Sequence, residues 1–146
     1  MVNLAPVLSM LNTSLSAPTL GCWGQNPPNE TQILPITYKG CKAAIQSIPV
    51  GEKGFAPITF AHSADAGFEV PESWQSGNCV VAIDVVGPNF RETSTFAAIV
   101  ERAFDLAVEC VITAPHFGGR SFLGKDEGLE VWLYGEDDGM RAKASI

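Results

Sequence analysis

A chain of 146 residues with 46% apolar side chains is sized for one domain with its own hydrophobic core. Sixteen acidic residues against nine dispersed basic ones give a net charge of −7. Nucleic acid and anionic membrane surfaces both need clustered Lys and Arg, so neither is an expected partner. No stretch reaches the ~18 consecutive apolar residues of a membrane span.

Residues 1–20, "MVNLAPVLSMLNTSLSAPTL", carry an apolar patch and a small-residue site at Ser16-Ala17 but no positively charged n-region. They read as a signal-like or disordered N-terminal segment, outside a single domain expected over 21–146. The sequons Asn12-Thr13-Ser14 and Asn29-Glu30-Thr31 make Asn12 and Asn29 candidate glycosylation sites. Residues 24–36, rich in Pro, Asn and Gln, read as an extended linker.

In "YKGCKAAIQSIP", Cys41, Ala44, Ile45 and Ile48 recur at helical spacing until Pro49 stops the pattern, which predicts a short helix. "FAPITFAHS" predicts a strand with Pro57 at an edge position. "GFEVPESWQSGN" reads as a loop with one short extended piece. Cys79 to Val86, "CVVAIDVV", is the clearest strand; Cys79, Val81, Ile83 and Val85 share one face, Asp84 lies on the other, and Gly87-Pro88-Asn89 ends it.

The main helix is expected over 94–109, capped by Thr93 or Ser94. Phe96, Ile99, Val100, Ala103 and Ala107 form its apolar stripe, with Glu101, Asp105 and Glu109 along the opposite face. "VITAP" should then be extended.

The glycine-rich "GGRSFLG" that follows matches neither a Walker loop nor a dinucleotide loop. What comes after it is "LEVWLY", in which Leu129, Val131 and Leu133 alternate with Glu130, Trp132 and Tyr134 as a strand does. The glycines are therefore expected to supply positive-φ turn positions and a close backbone approach before that strand. The tail "EDDGMRAKASI" is polar and expected to fray. A helix with one apolar stripe and strands with one apolar face must stack in layers. The fold class is α+β: a two-layer sandwich, its antiparallel sheet covered on one face by a long helix and a short helix.

Few residues suggest chemistry. His62, Ser63 and Asp65 cluster locally, whereas a nucleophilic triad draws on residues distant in sequence, and no G-x-S-x-G elbow is present. A metal site would need His62 and His116 to converge with Asp65 or Asp84, and the spacing does not demand it. Asp84, mid-strand between valines, reads as solvent-facing. A glycosidase carboxylate pair stays open on composition, as does sugar stacking on Trp23, Trp74 or Trp132. No catalytic residue, cofactor or metal ligand is assigned. Trp132, Tyr134, His116 and Arg120 form the candidate binding surface.

Cys22, Cys41, Cys79 and Cys110 are evenly numbered, widely spaced and without a C-x-x-C, which disfavours zinc and thioredoxin-type chemistry. Two disulfides formed in an oxidising compartment fit better than four buried thiols. Three pairings are open.

"GCKAAIQSIP", "VPESWQSGNCVVAIDV", the long helix ending in "VECVI", and "FGGRSFLG" with "GLEVWLYG" together resemble a pattern in small secreted fungal proteins. The last half is similar to the killer-toxin-like and necrosis-inducing-factor families. There a helix ends near a cysteine, a glycine-bearing loop follows, and a final strand closes the sheet. The resemblance spans roughly two thirds of the chain, although killer toxins carry more cysteines. It implies an α/β sandwich, secretion, disulfides and a non-enzymatic role as effector or toxin, acting on an extracellular protein or cell-surface glycan. It carries over no catalytic residues.

Cys79 opens the best strand, and the loop before it can return to the first helix, where Cys41 sits. Cys110 ends the main helix, and Cys22 lies in a segment with no core of its own. These positions favour Cys41–Cys79 and Cys22–Cys110, and killer toxins likewise tie an N-terminal cysteine to the end of a helix. The alternatives are free thiols or the pairing Cys22–Cys41 with Cys79–Cys110. On this reading the protein is a secreted effector-like or killer-toxin-like binder. The alternative is a secreted carbohydrate-active or other hydrolytic enzyme.

Overall fold

The computed structural model of the chain describes residues 20–22, 34–113 and 117–136. Residues 1–19 of the signal-like segment, both sequons, Trp23, His116 and the polar tail after Glu136 lie outside the described residues; Leu20, expected outside the domain, packs against its core.

Thr37 opens the first helix, α1 (Tyr38–Gln46), by accepting the Gly40 N–H on its hydroxyl at 3.1 Å. Cys41, Ala44 and Ile45 are buried on one face, as the spacing required. The second helix, α2 (Phe96–Ala107), begins with the Thr95 hydroxyl accepting the Ala98 N–H at 3.0 Å. The cap expected at Thr93 or Ser94 thus falls one or two residues later, because both belong to a strand. Phe96, Ile99, Ala103, Leu106 and Ala107 form the buried stripe; Leu106 joins it and Val100 sits half-buried at its margin. "VITAP" is not extended over its described part. Val108–Thr113 continues the helix as a wider π-helical segment that turns Cys110 and Val111 inward.

Among the described residues there are eight strands: β1 (Gly21–Cys22), β2 (Ile58–Ala61), β3 (Phe68–Glu69), β4 (Glu72–Ser76), β5 (Cys79–Val85), β6 (Arg91–Ser94), β7 (Gly119–Leu123) and β8 (Leu129–Gly135). One sheet has the order β1-β7-β8-β5-β4 and is antiparallel throughout. A second has the order β3-β2-β6, with β3 parallel and β6 antiparallel to β2. The architecture is α+β, an antiparallel sheet with both helices on one face, as the alternation implied. The small mixed sheet is an addition. It makes β2 central rather than an edge, and Pro57 is tolerated because it stands just before the strand, where no ladder N–H is needed. Residues 67–78, expected to be a loop with one short extended piece, supply two strands, β3 and β4.

The core lies between the five-stranded sheet and the helices. Val81, Ile83, Leu129, Val131 and Leu133 are fully buried there with Ile99, Ala103 and Leu106. The small sheet is attached through rings: Phe60 meets Phe96 edge-on with centroids 5.6 Å apart, Phe68 meets Phe96 at 5.1 Å, and Phe68 stacks on Trp74 at 6.4 Å. Arg102 of α2 reaches β7, donating to the Ser121 hydroxyl at 2.9 Å and the Phe122 carbonyl at 2.7 Å. The fully buried Ser121 is thereby satisfied.

Glu92 is the one buried carboxylate among the described residues. It accepts four backbone N–H groups, from Thr93, Lys125, Asp126 and Gly128, at 2.9–3.3 Å. Three of them belong to the β7–β8 turn, so a side chain of β6 builds the turn of the other sheet. Gly124, with φ +97°, has its Cα so close to the Glu92 carboxylate that any Cβ would collide with it. Glu92→Gln puts an NH2 where only acceptors fit and removes the charge from these bonds. It is expected to lower the unfolding free energy by about 2 kcal/mol. Urea unfolding of the two proteins reads this directly, and an unshifted midpoint means that the carboxylate does not hold the turn.

Candidate functional site

Strand alternation sends every second residue of β5, β7 and β8 away from the helices. The register fixes which of them meet. Arg120 stands opposite Trp132, which stands opposite Ala82; Phe122 stands opposite Glu130, which stands opposite Asp84; Tyr134 stands opposite Val80. Three candidate surface residues, Arg120, Trp132 and Tyr134, therefore share one outer face. His116 lies outside the described residues. Glu130 shares this face by alternation along β8, and Phe122 and Asp84 join it through register, which neither neighbouring strand shows alone.

The Arg120 guanidinium lies 5.4 Å from the Phe122 ring centroid and 5.7 Å from that of Trp132, both cation–π distances. Its Nη1 is 3.9 Å from Glu130 Oε1, the oxygen that also accepts the Trp132 indole N–H at 2.9 Å. Trp132 and Phe122 are half-buried, and Arg120 is exposed. The result is a layered ridge of cation, rings and carboxylate on hydrogen-bonded strands, pre-ordered before any contact with a partner. From below, Arg102 grips the Phe122 carbonyl.

Asp84 and Glu130 are directly opposed across β5 and β8. Like charges in such a pair repel, and each has its own relief: Glu130 in Arg120 and Trp132, Asp84 in the His62 Nε2 and the Val85 N–H. Asp84, expected to face solvent, is half-buried and partnered. The local cluster does not form a triad. The Ser63 hydroxyl bonds Asp65, while His62 turns to Asp84. Among the described residues no three His, Cys, Asp or Glu side chains converge as metal ligands. Trp74 packs on Phe68 against the core side and takes no part in the outer face.

The Ser63 hydroxyl, and after it the Arg91 guanidinium 3.8 Å away, hold the Asp65 carboxyl below the ordinary aspartate value. A depressed folded-state pKa stabilises above the unfolded value and is lost as pH falls through the folded one. Asp65 is 81% exposed, so the effect on folding is small. The titration itself is the better readout. Carboxyl carbon NMR should show Asp65 titrating below free aspartate, and Ser63→Ala should move it up. An unmoved midpoint would rule out the hydroxyl as the main cause.

Both disulfides are Cys22–Cys110 and Cys41–Cys79, with Cα–Cα distances of 5.2 and 5.1 Å, as the positions along the elements favoured. Among the described residues no helix is long and apolar enough to cross a membrane. A small fold held by two disulfides is compatible with an extracellular protein. No known protein-family model matches the chain, and no curated protein or solved structure matches it.

Proposed function

We propose that the protein is a small secreted binding protein, effector-like or killer-toxin-like and non-enzymatic, that engages an extracellular protein or cell-surface glycan through its outer sheet face. The observation that carries this reading is the ordered ridge of Arg120, Phe122 and Trp132. Arginine and aromatic side chains on a rigid scaffold are the residue types that anchor protein and glycan interfaces. The two disulfides support the secreted setting, and the resemblance of the helix, cysteine, glycine loop and closing strand to killer-toxin-like proteins supports the role.

The test is capture from host or competitor cell extracts and on a glycan array, with the wild type and the double variant Arg120→Ala/Trp132→Ala side by side. The wild type should retain a partner that the variant loses, while circular dichroism shows both folded. Equal capture by the two proteins rejects this face as the site.

A second reading rests on the facing carboxylates Asp84 and Glu130. Opposed carboxylates beside aromatic rings are the raw material of a glycosidase. Release of reducing sugar from plant or fungal cell-wall polysaccharide, abolished by Asp84→Asn, would favour this reading over the binder.

A further inference from the structure

Among the described residues, the chain ahead of Leu34 is held to the domain at one place. Leu20 packs on the core, β1 contributes two residues paired with Gly119 and Arg120, and Cys22 is bonded to Cys110. At Leu34 the chain is tied in again through the Gly135 carbonyl, and Ile36 is buried. A two-residue strand is too short to persist unaided, so the Cys22–Cys110 bond is the clasp that keeps β1 on the edge of β7.

The two disulfides differ in access. Cys41 and Cys79 are 0% and 1% exposed, so no thiolate reaches either sulfur without opening the core. Cys22 is exposed, while Cys110 is buried behind it. Exchange requires an attacking thiolate to approach one sulfur in line with the bond. Only the outer bond offers one.

We infer that Cys22–Cys110 is a thiol-sensitive clasp, opened by an external dithiol while Cys41–Cys79 stays closed, and that its opening uncaps the β7 edge at Gly119 and Arg120. The electrons balance through a mixed disulfide. One thiolate of the dithiol attacks the Cys22 sulfur, the Cys22–Cys110 bond breaks, and Cys110 leaves as thiolate and takes up a proton. The second thiol of the dithiol, as its thiolate, then displaces the Cys22 sulfur, which leaves as thiolate and is protonated. The protein is reduced by two electrons and the dithiol becomes a cyclic disulfide. Transfer from an oxidising to a reducing compartment would therefore open the clasp first, releasing β1 and presenting an unpaired strand edge of the kind that accepts another strand.

Differential alkylation under a dithiothreitol titration, read by peptide mass, tests this on the intact protein. Cys22 and Cys110 should be labelled at a dithiothreitol concentration about tenfold below that which labels Cys41 and Cys79. At the lower concentration, amide exchange should accelerate at whichever of residues 119 and 120 turns its N–H to β1, while that of β5 is unchanged. The variant Cys22→Ser/Cys110→Ser should show the fast exchange without reductant. Simultaneous labelling of all four cysteines, or earlier labelling of Cys41 and Cys79, overturns the inference, as does unchanged exchange at 119 and 120 once the clasp is reduced.

Discussion

Phe96→Ala should lower the unfolding free energy by about 3–5 kcal/mol, the range for removing a buried aromatic ring. Phe96 is 6% exposed and stands where three parts of the molecule meet: the first turn of α2, Phe60 at the centre of the small sheet, and Phe68, which leads to Trp74 of the large sheet. The cavity would be walled by strands of two sheets whose backbones are fixed by pairing, so the site cannot collapse to fill it. The edge-to-face contacts add to the transfer loss. Phe68→Ala should cost less, because Phe68 is half-buried to begin with. Chemical unfolding of the three proteins checks both statements. A Phe96→Ala midpoint within experimental error of the wild type means that α2 is not docked through this ring.

What could be read from the chain follows from where side-chain periodicity was clean. α2 and β8 each have one apolar face, so Phe96, Ile99, Val100 and Ala103 on one and Leu129, Val131 and Leu133 on the other had to pack together, with Val81 and Ile83; they share one core, Val100 from its partly buried margin. β6 was illegible because its pattern is inverted. In "RETS" the inward residue is Glu92, made tolerable only by four N–H donors, three of them from a turn more than thirty residues away. β7 looked like a loop for a related reason. Its buried positions begin with Gly119 and Ser121; the first has no room for a Cβ beside β1 and the Cys110 sulfur, and the second is buried by virtue of Arg102. The glycines flanking β7 act as expected: Gly118 and Gly124 have φ of +88° and +97°. Of the outer face, alternation alone gave Trp132 and Tyr134. Glu130 came from the same alternation; Phe122 beside it and the His62–Asp84 contact arise from register and tertiary placement, which no local pattern encodes.

The larger loss is expected from the shorter disulfide loop. In the chain-entropy model the 88-residue separation of Cys22–Cys110 should stabilise slightly more than the 38-residue separation of Cys41–Cys79, both on the order of 4 kcal/mol. That model assumes that the folded state is equally ordered with and without the bond. The assumption suits Cys41–Cys79. Cys41 lies on α1 and Cys79 starts β5, both sulfurs are enclosed, and α1 stays packed on the sheet through Ala44 and Ile45 even without the link. Removing it therefore frees only the unfolded chain. Removing Cys22–Cys110 also frees the native chain, because β1 is held by two paired residues and the packing of Leu20, so part of the entropy returns on both sides of the equilibrium. Replacing Cys41 and Cys79 also leaves a void where two sulfurs filled the core, whereas of the other pair only Cys110 is buried, so that void is smaller. Cys41→Ala/Cys79→Ala is thus expected to lose about 4 kcal/mol or more, and Cys22→Ala/Cys110→Ala about half as much. Urea unfolding of the two double variants decides it: a greater loss in the Cys22/Cys110 variant would mean that β1 stays ordered on β7 without its bond, and loop length alone would then set the order.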